Sequence, residues 1–244
     1  AEIAQANEAY DGLVAELCNQ DDEIGMMFLE EKPISVPDVK AALRRAVIDN
    51  KIIPMAGGSA FKNKGVQYLI DAVIDYLPGP LDIAPAKGIN PDDHSITIEA
   101  TPDDNGKFCS LAFKLWTDPY AGKLVFFRVY SGTLTAGSKI LNATTGKTER
   151  LGRILMMHAN DREDVAEVFA GDIAAAVGIK QIVTGDTLCE PGRAVKLEQI
   201  VFPEPVIKVA VEPKTKSDQE KMSVALGRLA EEDPTFQVRT NEET

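Results

Sequence analysis

Apolar residues recur along this chain with two different periods, and the change falls near residue 95. Before it they repeat at helical spacing. Ala4–Leu17 carries a single breaker, Gly12, and Asp21–Glu30 reads as a short second helix. Ser35 is a good N-cap for a third, Val36–Ile48. Pro37 falls in its first turn, where a missing N–H costs nothing, and Asp38 faces the positive end of the helix dipole. Val39, Leu43 and Val47 then share one face, with Ala42 and Ala46 beside them. Lys51–Gly57, with Ile52, Ile53 and Met55, reads as a buried strand. A helix opening at Asn63 or Lys64 and running to Leu77 follows, stopped by Pro78-Gly79-Pro80. Val66, Leu69, Ile70, Val73, Ile74 and Leu77 form one continuous stripe on it, which predicts packing on a sheet. Only one good strand precedes that helix, so the chain reads as a piece cut from a longer protein.

Residues 82–95, with Pro85, Gly88, Pro91 and three aspartates, read as a linker. From Ile96 the pattern turns to short alternating runs: SITIEA, FCSLAFKLW, KLVFFRVYSG, SKILNA, ERLGRILMM, VFAGDIAAAV and DTLCE. Glycine, Asp, Asn and Pro separate them, which predicts an all-β barrel. After the stiff Phe202-Pro203-Glu204-Pro205 segment, a strand is expected over Val206–Val211. Ser217 and Glu220 form the pattern of a capping box, and Met222, Ala225, Leu226 and Leu229 supply one helical face. Asp233-Pro234 ends this helix, and Phe236–Arg239 is a further strand candidate.

A length of 244 residues suits roughly two domains. No run is long and apolar enough to span a membrane, and the amino terminus lacks the pattern of a signal peptide. Cys18, Cys109 and Cys189 are odd in number and far apart in sequence, so neither a disulfide framework nor a zinc site is expected and a reducing cytosol fits. The net charge of −12 argues against non-specific nucleic-acid binding by the chain as a whole. The charge is uneven, however. Lys107 to Arg162 holds nine basic residues against three acidic ones. Such a module can dock on phosphate while the rest stays off it, or can simply solvate the outside of a barrel.

The chemistry concentrates at Gly58–Gly65, GSAFKNKG, between the expected strand and helix. An α/β nucleotide-binding domain presents small residues to its ligand at that place. A plain strand-to-helix turn is the other reading. The chain contains no G-x-x-x-x-G-K-[ST] and no G-x-G-x-x-G, so nothing in it is expected to hold a phosphate. His158 stands near Asp161, Glu163 and Asp164, but a lone histidine at a strand end running into a polar turn is the expectation, with no metal. Gly171-Asp172 and Gly185-Asp186 can be read as anion nests or as hairpin turns, the latter favoured by their strand-like flanks. Asp118-Pro119-Tyr120 reads as a turn.

Long strings carry a family resemblance: GSAFKNKGVQYLIDAVIDYLPGPLD (58–82), KLVFFRVYSGTL (123–134), RILMMHAND (153–161), VFAGDIAAAVGIK (168–180), TGDTLC (184–189) and FPEPVIKVAVEPKTKSDQEKM (202–222). The chain resembles the translational GTPase elongation factor G from at least residue 35 to its end. The resemblance implies a multi-domain α/β plus all-β fold. Residues 1–84 would be the carboxyl part of a G domain with its insert helices, and 85–95 a linker. Residues 96–203 would be the β-barrel second domain, and 204–244 the start of a ferredoxin-like third domain with βαβ order. It further implies that Ser59, Ala60 and Phe61 form the guanine-edge loop. There the Ala60 amide meets the base carbonyl oxygen, Ser59 braces the loop, and Phe61 packs where many such GTPases have lysine.

Catalytic residues, phosphate loop, switches and the guanine-reading NKxD of the family are absent from the sequence. The parent would use GTP and magnesium, the chain alone would bind neither, and GTPase activity is not expected of it. Arg128, Lys147, Arg150 and Arg153 would contact ribosomal RNA, and the acidic N-terminal helices the ribosomal stalk protein. The parent would drive movement of transfer and messenger RNA through the ribosome, in the cytoplasm, with this piece as a coupling and docking region. A ribosome-recycling paralogue, a ribosomal protection protein, a peptide-release GTPase or a stand-alone ribosome-binding module stay open. Strand edges left bare by a cut would be free to pair between two copies.

Overall fold

The computed structural model describes residues 2–118, 122–159, 161–198 and 200–239. Pro119 and Tyr120 of the expected turn, Asn160 of the MMHAND string and the last five residues lie outside the described residues. The chain divides into two units, Ala1–Ile83 and Ala84–Thr244.

The first unit is helical: α1 (Glu2–Gln20), α2 (Asp22–Leu29), α3 (Val36–Ile48) and α4 (Val66–Tyr76). Val14 and Leu17 of α1, Ile24 of α2, and Val39, Ala42 and Leu43 of α3 make one core. Asp21 sits where the three helices meet. Its carboxylate caps α2 by accepting the Ile24 amide at 3.1 Å, and receives Arg45 Nε and Nη2 at 2.7 and 2.8 Å. The Arg45 guanidinium holds the Asp21 carboxyl below its ordinary range against the opposing effect of burial. Ser35 and Asp38 form a reciprocal capping box at the start of α3.

Arg44 of α3 closes the far end of α4. Its Nη1 donates to the carbonyls of Ile74, Asp75 and Leu77 at 3.3, 2.9 and 3.2 Å. Those are final-turn acceptors with no intrahelical donor, where a cation also meets the negative end of the dipole. The sequence expectation of a strand at Lys51–Gly57 is not met: the segment is irregular, with Ile53 84% and Met55 95% exposed. The stripe on α4 is likewise uncovered, with no residue of that helix buried. Both patterns suit a sheet neighbour, and an unpaired strand has nothing to bond.

The second unit is built on an eight-stranded antiparallel sheet in the order β7-β6-β12-β3-β4-β11-β8-β9. Its strands are β3 (Cys109–Asp118), β4 (Gly122–Ser131), β6 (Lys139–Asn142), β7 (Lys147–Arg150), β8 (Ile154–His158), β9 (Asp161–Val165), β11 (Ile173–Val177) and β12 (Thr187–Cys189). Two smaller sheets join β1 (Ala86–Ile89), β2 (Thr97–Ala100) and β13 (Lys196–Leu197), and β5 (Leu134–Thr135) with β10 (Glu167–Val168). Val125, Phe127 and Val129 alternate inward along β4 into a core shared with Ile140, Ile154 and Leu188 from strands far apart in the order, and with Val168 of β10. The sheet therefore curls round its own side chains as a barrel. Glu149 of β7 helps close it by accepting the Lys180 and Gln181 amides at 2.8 and 3.0 Å.

Three differences from the sequence reading stand out in this unit. The expected linker contains β1, which pairs with both β2 and β13. Asp161–Val165, read as a polar turn, is β9. Among the described residues of the last segment, only α5 (Lys216–Glu232) is regular. Among the described residues Val206–Val211 and Phe236–Arg239 form no strand, with Val206 93% exposed. The helix also starts before the expected capping box. Thr215 is the N-cap, and its hydroxyl bonds Asp218 at 2.6 Å, so Ser217 and Glu220 lie inside the helix.

Candidate functional site

Ser59, Ala60 and Phe61 lie together in a tight loop before α4. Ser59 and Lys64 exchange both backbone bonds, Ser59 N to Lys64 O at 2.9 Å and Lys64 N to Ser59 O at 3.0 Å. Inside that clasp the Asn63 amide donates to Ala60 O at 3.1 Å, and the Lys62 amide to Ser59 Oγ at 3.4 Å. Ser59 thus fixes the loop by a side-chain-to-backbone bond. Glycine is required on both flanks. A Cβ on Gly58 would stand 2.8 Å from Lys64 O, and Gly65 takes φ +79° to turn the chain into α4.

What the clasp leaves open matters most. Among the described residues, the amides of Ala60 and Phe61 have no protein acceptor. The Phe61 side chain is fully exposed. The loop presents unpaired N–H donors on small, rigid backbone, which suits a carbonyl or other neutral oxygen. It offers no cationic side chain held over those amides, and among the described residues no cluster of three or more His, Cys, Asp or Glu suits a metal.

The four basic residues are not brought together. Arg128 is central on β4, opposite Leu111 and Ile173. Lys147 and Arg150 lie on the edge strand β7, and Arg153 immediately precedes β8. Lys147 Nζ reaches Gln181 Oε1 at 2.6 Å, Arg150 Nε donates to Gly137 O at 3.1 Å, and Arg153 approaches Asp164 at 3.5 Å. All three remain exposed.

Sequence reasoning missed a cationic and aromatic strip on the outer face of β3 and β4. Lys114 Nζ lies 5.8 Å from the Phe126 ring centroid, Arg128 Cζ 5.9 Å from that of Tyr130, and Trp116 stacks on Phe126 at 6.5 Å. The signal was present in KLW and FFRVY, where every second residue faces away from the core.

The remaining candidates resolve into structure. His158 is exposed on the β8–β9 hairpin opposite Asp161. Asp172 Oδ2 accepts the Phe169 amide at 2.8 Å and Asp186 Oδ2 the Val183 amide at 2.9 Å. Each aspartate fills its own turn, with Gly171 and Gly185 at φ +96° and +97°, so these are turns and not anion nests.

The family model for elongation factor Tu domain 2 matches residues 122–189, and that for elongation factor G domain III matches residues 202–244. A crystal structure of a protein from Thermus thermophilus is similar over 100% of this chain and 34% of its own, with a TM-score of 0.77 and 22% identity. The chain spans about a third of the length of that protein, and the likeness is one of fold.

Proposed function

We propose that this chain, one of the EF-G type of translational GTPase, is the coupling and ribosome-docking portion of a GTP-dependent factor that moves transfer and messenger RNA through the ribosome in the cytoplasm. One observation carries the reading. A short donor edge, two unpaired amides on the Ala60–Phe61 turn, is followed in the same chain by a translation-factor barrel and a domain III segment. The loop fits the carbonyl edge of guanine and nothing more of GTP. Phosphates and magnesium would be held by residues other than these, and when bound would order the elements that change shape on hydrolysis. No step of that hydrolysis belongs to the residues of this chain.

The barrel's part is mechanical and electrostatic. A sheet curled round a buried apolar core is stiff, so it transmits displacement between the elements joined to it. Arg128, Lys147, Arg150 and Arg153 lie on its outside and meet RNA through phosphate oxygens, without reading bases. The exposed acidic face of α1 and the exposed Met26, Phe28 and Leu29 of α2 suit a protein partner such as the stalk protein. Among the described residues no helix is long and apolar enough to cross a membrane.

Sedimentation of the 244-residue chain with isolated small ribosomal subunits, across a salt series, tests this. The expected result is association that weakens linearly in log salt. Joint replacement of Arg128, Lys147, Arg150 and Arg153 by Ala should weaken it by about tenfold or more and flatten the slope, by roughly one unit per lost phosphate contact. Salt-independent association, or none at low salt, would refute the docking role.

A further inference from the structure

Cys109 and Cys189, eighty residues apart in sequence, are directly opposite each other in the β3–β12 ladder. The ladder's bonds show which kind of pair they make. The Ala112 amide donates to Asp186 O at 2.9 Å, and the Glu190 amide to Phe108 O at 3.1 Å. Bonded pairs recur at every second residue of an antiparallel ladder, so 112/186 and 108/190 are bonded positions and 109/189 lies between two of them. A non-bonded pair brings Cα atoms to about 4.5 Å, within the roughly 4.4–6.8 Å that a disulfide spans. Both thiols are free, and their side chains lie on the same side of the sheet.

Access comes from one side. A small crevice of about 10 Å³ is lined by Cys109 with Lys107, Ser131, Arg193 and Val195. That is room for about one water-sized molecule. Burial pushes the Cys109 thiol up to about 12, and the Cys189 thiol beside it adds to this, while Arg193 works in the opposite direction. Burial also raises the Cys189 thiol. Burial holds both thiols protonated, which makes the pair slow to react, and the crevice opens on Cys109 beside Arg193.

We propose that Cys109 and Cys189 form a modification site, a cross-strand dithiol that hydrogen peroxide converts into a disulfide tying β3 to β12. The Cys109 sulfur attacks one peroxide oxygen and the O–O bond breaks. The thiol proton leaves with the departing hydroxide as water, and Cys109 is left as a sulfenic acid. The Cys189 sulfur then displaces the sulfenic oxygen, which leaves as a second water. The two thiols lose two electrons and two protons, and one peroxide becomes two waters.

The test uses the 244-residue chain carrying Cys18→Ser, so that only these two thiols remain. Peroxide treatment is followed by denaturation, alkylation and digestion without reductant. The expected product is a peptide pair linked through Cys109 and Cys189 within one chain, with neither residue alkylated and both recovered by dithiothreitol. Cys189→Ser should stop the reaction at a Cys109 sulfenic acid that dimedone traps. The proposal is overturned by alkylation of both cysteines after peroxide, by over-oxidation of Cys109 with Cys189 intact, or by a link between chains. Should Cys18→Ser fail to fold, peptide mapping of the unsubstituted chain gives the same readouts.

Discussion

Asp21 couples three helices through one carboxylate, and its consequences can be worked out from charge alone. It caps α2 and takes both forks of Arg45 while only 8% exposed. Its folded pKa is lowered, chiefly by the Arg45 bond. A depressed carboxyl contributes stability that is complete above its unfolded pKa and is lost as pH falls through the folded value. Asp21→Asn should therefore destabilise the helical unit by about 2 kcal/mol near pH 7. The gap between variant and native chain should shrink on acidification below the ordinary carboxylate range, measured by urea unfolding monitored in the helical unit at both pH values. An undiminished gap in acid would mean that the loss is one of packing, not of charge. Local readings of this kind were available in the sequence: Ser35 announces the N-cap of α3 and Asp38 the dipole's positive end, while the reciprocal bond that joins them is seen in the structure. The Asp21–Arg45 pair was not legible, because it depends on how α3 lies against α2. The pairing of Cys109 with Cys189 was hidden for the same reason, since register is set by the whole ladder.

Elements with a strong local period were legible, and those that needed a partner were not. The helices α1 to α4 and most barrel strands follow from apolar spacing. Strand β9, DREDV, has one apolar residue and no alternation to betray it; it exists because β8 pairs with it. The error at α5 has a different origin. Thr215-x-x-Asp218 and Ser217-x-x-Glu220 both fit a capping pattern, and the helix begins at the earlier position, where the Thr215 hydroxyl donates to the Asp218 carboxylate and caps no backbone amide. Both outer strands of the eight-stranded sheet, KTER and DREDV, are charged at most positions, which disfavours pairing between copies. In the helical unit the decisive element is α4, whose own core contribution is small. Arg44 bonds its terminal carbonyls and also reaches Asp82, while Lys40 meets Asp75 at 2.7 Å. Arg44→Ala should release the end of α4 at a cost of about 1 kcal/mol. Faster amide exchange confined to the last turn of α4, with α1 to α3 unchanged, is the expected signature; uniform acceleration would mean that Arg44 supports the whole unit.

At the scale of the molecule, the candidate site was legible as a place and not as an activity. The string GSAFKNKG marks the loop, and the clasp of Ser59 with Lys64 explains why small residues and glycines stand there. What a loop of this kind can achieve alone follows from magnitudes. One backbone N–H to a neutral oxygen contributes about 1 kcal/mol net. Micromolar affinity needs about 8 kcal/mol, most of which a nucleoside triphosphate obtains from phosphate contacts and magnesium. This chain has no phosphate-loop motif to provide them. Isothermal titration of the chain with micromolar GTP and magnesium should therefore give no heat beyond dilution, and at that concentration the Ala60 and Phe61 amide resonances should not move. The more telling arm adds guanosine at millimolar concentration. Small shifts confined to Ala60, Phe61 and their neighbours are expected there, because the base edge is all the loop can recognise, and adenosine, with an amino group where guanine has its carbonyl, should produce none. Micromolar GTP binding would require a phosphate site in this chain and would overturn the division of labour proposed for it. Equal shifts with adenosine would reduce the loop to a strand-to-helix turn.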